Sequence, residues 1–154
     1  MTDGSTAIGE VHALLRVLAA GRDVLELGSA FGIGAVAMAE TARRVVTIEL
    51  DPERAAATRE RVRDLQNVEA LEGDWRRVAE GRFGLVFADA GAYEWNRVVE
   101  LTEIGGFIVK DDLTPGRATD GDPVREFLLR DSRLVATELL TTPEAAAIVA
   151  VRVV

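Results

Sequence analysis

Short apolar runs alternate with amphipathic stretches along most of the chain. Ile8, Val11, Leu14, Leu15 and Leu18 recur at helical spacing between Ala7 and Ala20, and Gly21 closes that pattern. Val24 to Leu27 reads as a short buried strand, the alanine-rich stretch from Ala35 to Ala42 as a helix, and Arg44 to Leu50 as a second strand. Pro52 suits a first helical turn with Asp51 as its N-cap, which predicts a helix running to Leu65. Val68 to Leu71, Leu85 to Ala88 and Phe107 to Lys110 predict three more strands, with helical segments at Trp75 to Ala79 and Tyr93 to Thr102 between them. Strict alternation of strand and helix predicts a parallel sheet with right-handed crossovers and helices on both faces.

The end of the chain breaks the alternation. After a helix over Pro123 to Arg130, Leu134 to Leu140 and Ala146 to Val153 are β-prone runs separated by a stretch short enough for a hairpin. The expected fold is therefore α/β: a doubly wound, seven-stranded, mostly parallel sheet that finishes in an antiparallel hairpin.

Chemistry first shows in Val24 to Gly34, where a buried strand runs into a glycine-rich turn that opens a helix. The next strand ends in an acid, Glu49. This order is that of the half of an α/β sheet that binds a nucleoside: backbone approaches the ligand at the glycines, and the carboxylate takes the ribose hydroxyls. The spacing Gly28-x-x-x-Gly32-x-Gly34 is neither the dinucleotide fingerprint nor a P-loop, since no Lys-Ser or Lys-Thr closes the loop. A pyrophosphate thus lacks its usual cradle, whereas close backbone approach suits a zwitterionic amino-acid group.

Bulk properties narrow the setting. With 154 residues and 48% apolar content, one domain spanning residues 1–154 with a real core is expected. No apolar run reaches the roughly 20 residues of a membrane span, and the first ten residues lack the basic start and apolar core of a signal peptide, so a cytoplasmic location is the default. The absence of cysteine excludes disulfides, thiolate nucleophiles and Cys-based zinc sites. A net charge of -8 argues against holding nucleic acid by phosphate neutralisation. Arg59, Arg61 and Arg63 alternate with acids and read as a solvated helix face.

Taken in order, ELGSAFGIG, TIELDPERAAATRERV, NVEALEGDW, FGLVFADA, GGFIVKDDL and AAAIVAVR resemble the class I S-adenosylmethionine-dependent methyltransferases. The resemblance is closer to their small, metal-dependent O-methyltransferase branch, the catechol and caffeoyl-CoA type, and it covers nearly the whole chain. It implies a Rossmann-like methyltransferase fold, with S-adenosylmethionine held by Glu26, Gly28, Ser29, Gly32, Gly34, Glu49, Leu50, Asp74, Trp75 and Asp89. Glu26 would lie near the amino-acid portion of the cofactor, Glu49 would accept both ribose hydroxyls, and Asp74 would reach the adenine amino group. Asp74 reads equally well as the N-cap of the helix beginning at Trp75, and both roles can hold together.

The resemblance further implies that Asp89 and the pair Asp111 and Asp112 bind magnesium, or calcium or manganese in its place. All three fall just past the carboxyl ends of neighbouring strands, where open α/β sheets place ligands. Oxygen side chains, waters and substrate hydroxyls would complete a six-coordinate site, and the metal would lower the pKa of a bound hydroxyl. Two positions depart from the family pattern. Asp112 stands where the family has Asn, and Ala92 stands where relatives carry a lysine base. Lys110, the only lysine, is directed by strand alternation away from the face of Asp111.

Tyr93 and Trp95 are candidates for walling a substrate pocket, His12 reads as structural, and Ser5 and Thr6 as an N-cap or a cofactor contact. Only one helix precedes the first strand where the family has more, which leaves the cleft open, completed in a homodimer, or built for a large substrate. The expected activity is O-methylation of a small hydroxylated molecule. The alternatives are tRNA base methylation and a cofactor-binding protein without turnover.

Overall fold

The computed structural model describes residues 9–90 and 94–154. Ser5, Thr6, Ala92 and Tyr93 therefore lie outside the described residues. The elements follow in the order α1 (Gly9–Ala19), β1 (Asp23–Leu27), α2 (Ile33–Ala39), β2 (Arg44–Glu49), α3 (Pro52–Val62), β3 (Val68–Glu72) and α4 (Trp75–Val78). After them come β4 (Phe83–Ala88), α5 (Trp95–Leu101), β5 (Thr102–Leu113), α6 (Pro123–Arg130), β6 (Leu134–Thr142) and β7 (Ala145–Arg152).

The seven strands form one sheet in the order β3-β2-β1-β4-β5-β7-β6. β1 to β5 pair in parallel, and β7 runs antiparallel to both β5 and β6. The expected mostly parallel sheet with a terminal hairpin is what forms. Because β2 lies on one side of β1 and β4 on the other, the winding reverses at β1, and a crevice opens at the carboxyl ends of β1 and β4.

Period-two alternation sorts the side chains onto two faces. Val24, Val45, Leu85, Phe87 and Val109 pack with Val11, Leu15, Ala35, Met38 and Val62 from α1, α2 and α3. Leu25, Leu27, Val46, Ile48, Val86 and Ile108 pack with Trp75, Val98, Val99, Leu101 and Leu128 from α4, α5 and α6. The same alternation assigns Glu26, Thr47, Glu49, Asp89 and Asp111 to the α2 face of the sheet.

Local signals explain most boundaries. Asp51 caps α3 by accepting from the Arg54 N–H at 2.9 Å, with Pro52 in the first turn. Pro143 and Glu144 alone separate the pair Thr142 and Ala145, so the hairpin turn is tighter than the apolar pattern suggests. The largest departure is β5, which begins at Thr102 instead of Phe107. Thr102 pairs with Phe83 and Phe107 with Leu85, so β5 bulges between them, where Gly105 takes φ 80°. A bulge set by pairing leaves little trace in apolar periodicity.

Arg125 ties α6 to the sheet. Its guanidinium donates to Glu138 through Nε and Nη2 at 2.8 Å each, to Asp122 Oδ2 at 2.6 Å and to the Thr114 carbonyl at 2.8 Å, while only 1% of the residue is exposed. Arg125→Met would leave two partly buried carboxylates without their cation. Urea denaturation is expected to show a loss of about 2–4 kcal/mol, against less than about 1 kcal/mol for an exposed pair such as Arg44 with Glu69.

Candidate active site at the carboxyl edge of the sheet

The loop after β1 is shaped by backbone requirements. Gly28 has φ 90°, and a Cβ there would sit 3.0 Å from the Ala90 nitrogen. Gly32 has φ 80° at the N-cap of α2, and a Cβ at Gly34 would collide with Glu26 Oε1. Ala30 takes φ 47°, a left-handed conformation that carries strain for a residue with a Cβ. The strain is held by a specific bond: the Ala30 N–H donates to Glu49 Oε2 at 2.9 Å.

The other oxygen of Glu49, Oε1, accepts from the Asp51 N–H at 3.0 Å. Glu49 is thus gripped from the loop on one side and from the start of α3 on the other, and its backbone carbonyl accepts from Gly73 N–H at 2.8 Å. Each carboxylate oxygen keeps a second acceptor direction. Beside it Leu50 is 68% exposed, a large apolar side chain lying open at the strand end.

Helix α3 supports the same loop. Thr58 Oγ1 lies 3.2 Å from Ser29 Oγ and 3.3 Å from the Ala30 carbonyl, and Arg61 Nε donates to the Phe31 carbonyl at 2.7 Å. Sequence reasoning placed Arg61 on a solvated face and did not single out Thr58. A contact spanning about thirty residues has no local signature. Ser29 is buried by this packing, and its hydroxyl lies against Thr58.

Asp74 caps α4, accepting from the Arg76 N–H at 3.0 Å and pairing with the Arg76 guanidinium at 2.8 Å, which holds its pKa below the ordinary value. Trp75 is 6% exposed and joins the core, because the cap turns the helix so that the indole points inward. Trp95 stacks on Phe127 at 6.1 Å between ring centroids, so its ring is engaged in packing. His12 lies on α1, and burial followed by the charge of Arg16 lowers its pKa.

Four acids gather where the strands end. Glu26 is fully buried and accepts from Thr47 Oγ1 at 2.5 Å. Desolvation pushes its pKa up to about 8, opposed by the Thr47 bond and reinforced by the charges of Asp89, Glu49 and Asp111. Asp89 is pushed up to about 7, chiefly by desolvation and then by Asp111, with Lys110 acting in the opposite sense. Asp111 is also raised by desolvation and is 3% exposed, and its Oδ1 has no hydrogen-bond partner among the described residues.

Asp89 stands just past the end of β4 and Asp111 near the end of the neighbouring β5, and Asp112 follows at the break in the β5–β7 register. Among the described residues no group of three or more His, Asp or Glu side chains is placed to hold a metal ion. Asp112 takes φ 59° at the point where the β5–β7 register breaks, and it is exposed while Asp111 is buried. Lys110 also departs from expectation. Its stem leaves on the face of Ile108, but the flexible side chain returns: Nζ donates to the Asp111 carbonyl at 2.6 Å and lies 3.8 Å from Asp111 Oδ1. Alternation fixes where Cβ points, not where four methylenes end.

No protein-family model matches the chain. Solved structures do. The O-methyltransferase TomG from Streptomyces achromogenes, involved in tomaymycin synthesis and solved with SAM, matches with TM-score 0.78 and 22% identity over 99% of this chain and 83% of that one. Cofactor-bound Rv0187 from MTB matches with TM-score 0.79 and 25% identity over 97% of this chain and 83% of that one. The M. jannaschii tRNA m1G37 methyltransferase matches with TM-score 0.77 and 12% identity over 95% of this chain and 49% of that one. The chain therefore has the fold of the S-adenosylmethionine-dependent methyltransferases. A tomaymycin-synthesis enzyme and a tRNA enzyme share that fold, so it does not select the methyl acceptor.

The buried Glu26 makes stability depend on pH. Its ordinary value is 4.5, so between that value and about 8 the folded protein binds a proton that the unfolded chain releases. Rising pH through this window therefore favours unfolding. Glu26→Gln, which mimics the protonated acid, is expected to flatten the decline by on the order of 3 kcal/mol at the alkaline end. Chemical denaturation of both proteins across the window checks this, and parallel curves would contradict it.

Proposed function

We propose that the protein is an S-adenosylmethionine-dependent methyltransferase that methylates a hydroxyl of a small molecule. The observation that carries the reading is Glu49, whose carboxylate is fixed by the Ala30 and Asp51 N–H groups between the glycine loop and the open face of Leu50. Both its oxygens retain acceptor capacity for adjacent ribose hydroxyls, and Leu50 offers an apolar surface to an adenine ring. The loop at Gly28 to Gly34 brings backbone to the amino-acid end of the cofactor, and Asp74 keeps its capping role at the adenine end. The acids of this edge favour a ligand carrying the positive sulfonium over an anionic nucleotide.

Asp89 is the base in this reading. At neutral pH a carboxyl raised to about 7 is partly ionised and can still accept a proton, which is the balance general-base catalysis requires. The acceptor hydroxyl passes its proton to the Asp89 carboxylate, and its oxygen forms the new bond to the methyl carbon. The carbon–sulfur bond breaks with its electron pair returning to sulfur, which leaves neutral S-adenosylhomocysteine. The protein contributes alignment of oxygen, carbon and sulfur. The net charge of -8 and the acidic rim weigh against an RNA acceptor.

Saturating S-adenosylhomocysteine is expected to raise the melting temperature by about 5 °C or more. Glu49→Ala is expected to weaken that binding about 10- to 100-fold, and Asp89→Asn to retain binding while losing turnover. Radiolabelled methyl transfer to catechol-type probes should rise as pH increases through about 7, as the Asp89 carboxyl ionises. An unchanged melting temperature with S-adenosylhomocysteine would overturn the reading.

A further inference from the structure

We infer that Lys110 is the resident cation of this site and stands in the place that a divalent metal would take. The inference rests on the methyltransferase reading only for where the acceptor lies. The buried Asp111 and the partly buried Asp89 lie at the end of the crevice, and carboxylates so shielded from water call for a counter-charge. Lys110 provides it from within the chain. Its side chain is 12% exposed, that of Asp111 is 4% exposed, and the ammonium lies 3.8 Å from Asp111 Oδ1 while being anchored on the Asp111 carbonyl at 2.6 Å. The ammonium also acts on Asp89, opposing its desolvation.

Asp112 does not join this pair. It takes φ 59° and is exposed, which leaves Asp89 and Asp111 as the carboxylates at this edge, with water to fill the rest of a metal ion's six-coordinate shell. A divalent ion entering between Asp89 and Asp111 would also meet the ammonium at close range, where like charges repel. Lys110 is in this account a positioning residue: it neutralises the pair and presents positive charge beside the acceptor oxygen.

The test is calorimetric titration of manganese chloride and magnesium chloride into the EDTA-treated full chain. Wild type, Lys110→Gln, Lys110→Arg and Asp89→Asn are compared, with melting curves to establish folding. Wild type and Lys110→Arg are expected to give no saturable heat, because both keep the cation. Folded Lys110→Gln is expected to gain saturable manganese binding, at least about tenfold tighter than any seen in wild type. Saturable manganese binding to wild type that Asp89→Asn abolishes would overturn the inference, and so would a folded Lys110→Gln with no gain. The melting shift with S-adenosylhomocysteine, read on the same samples, reports the cofactor reading separately, so its failure would leave the metal result standing.

Discussion

The arrangement depends most on the carboxylate of Glu49, which ties the distant glycine loop to the end of β2 and the start of α3. One oxygen holds the Ala30 N–H and thereby stabilises a left-handed alanine in the glycine loop, and the other holds the Asp51 N–H at the head of α3. Charge-assisted bonds of this kind are stronger than neutral ones, and here they act where the residue is largely shielded from water. Loop conformation, strand end and helix start are thus set together before any ligand arrives. Thr58 and Arg61 brace the loop from α3, so the same helix that Asp51 caps also fixes the loop's far side.

A second consequence of placing strand ends at one edge is electrostatic. Parallel strands on a common face deliver Glu26, Glu49, Asp89 and Asp111 to a small region, and burial of Glu26, Glu49 and Asp111 limits screening by water. The chain answers the strain in two different ways. Glu26 lies deepest, takes a bond from Thr47 and is driven toward its neutral form, while Asp111 has the ammonium of Lys110 at 3.8 Å. The rim that remains favours a positively charged ligand, in keeping with a sulfonium and with its release once the sulfur is neutral.

Much of this was legible in the amino-acid order, for reasons that are local. The short buried runs at Val24 to Leu27 and Arg44 to Leu50, the Asp51–Pro52 cap and the two final β-prone runs each express short-range geometry, and the parallel sheet with its hairpin followed. The glycine spacing and the acid at Glu49 were legible for the same reason. What escaped depends on distance. The bulge that starts β5 at Thr102 is set by pairing with Phe83, the brace from Thr58 and Arg61 joins positions far apart, and the return of Lys110 reflects side-chain length, which alternation does not encode. The exposed, left-handed Asp112 lies at a break in strand register, which neighbouring residues do not announce.

The central claim is that Glu49 and the loop it holds form the ribose site of a bound S-adenosylmethionine. A crystal structure of the protein with S-adenosylhomocysteine tests it most directly. The account predicts both ribose hydroxyls on the Glu49 carboxylate, the adenine against Leu50, and the amino-acid end along Gly28 to Gly34. A ligand bound elsewhere, or one whose ribose makes no contact with Glu49, would contradict it.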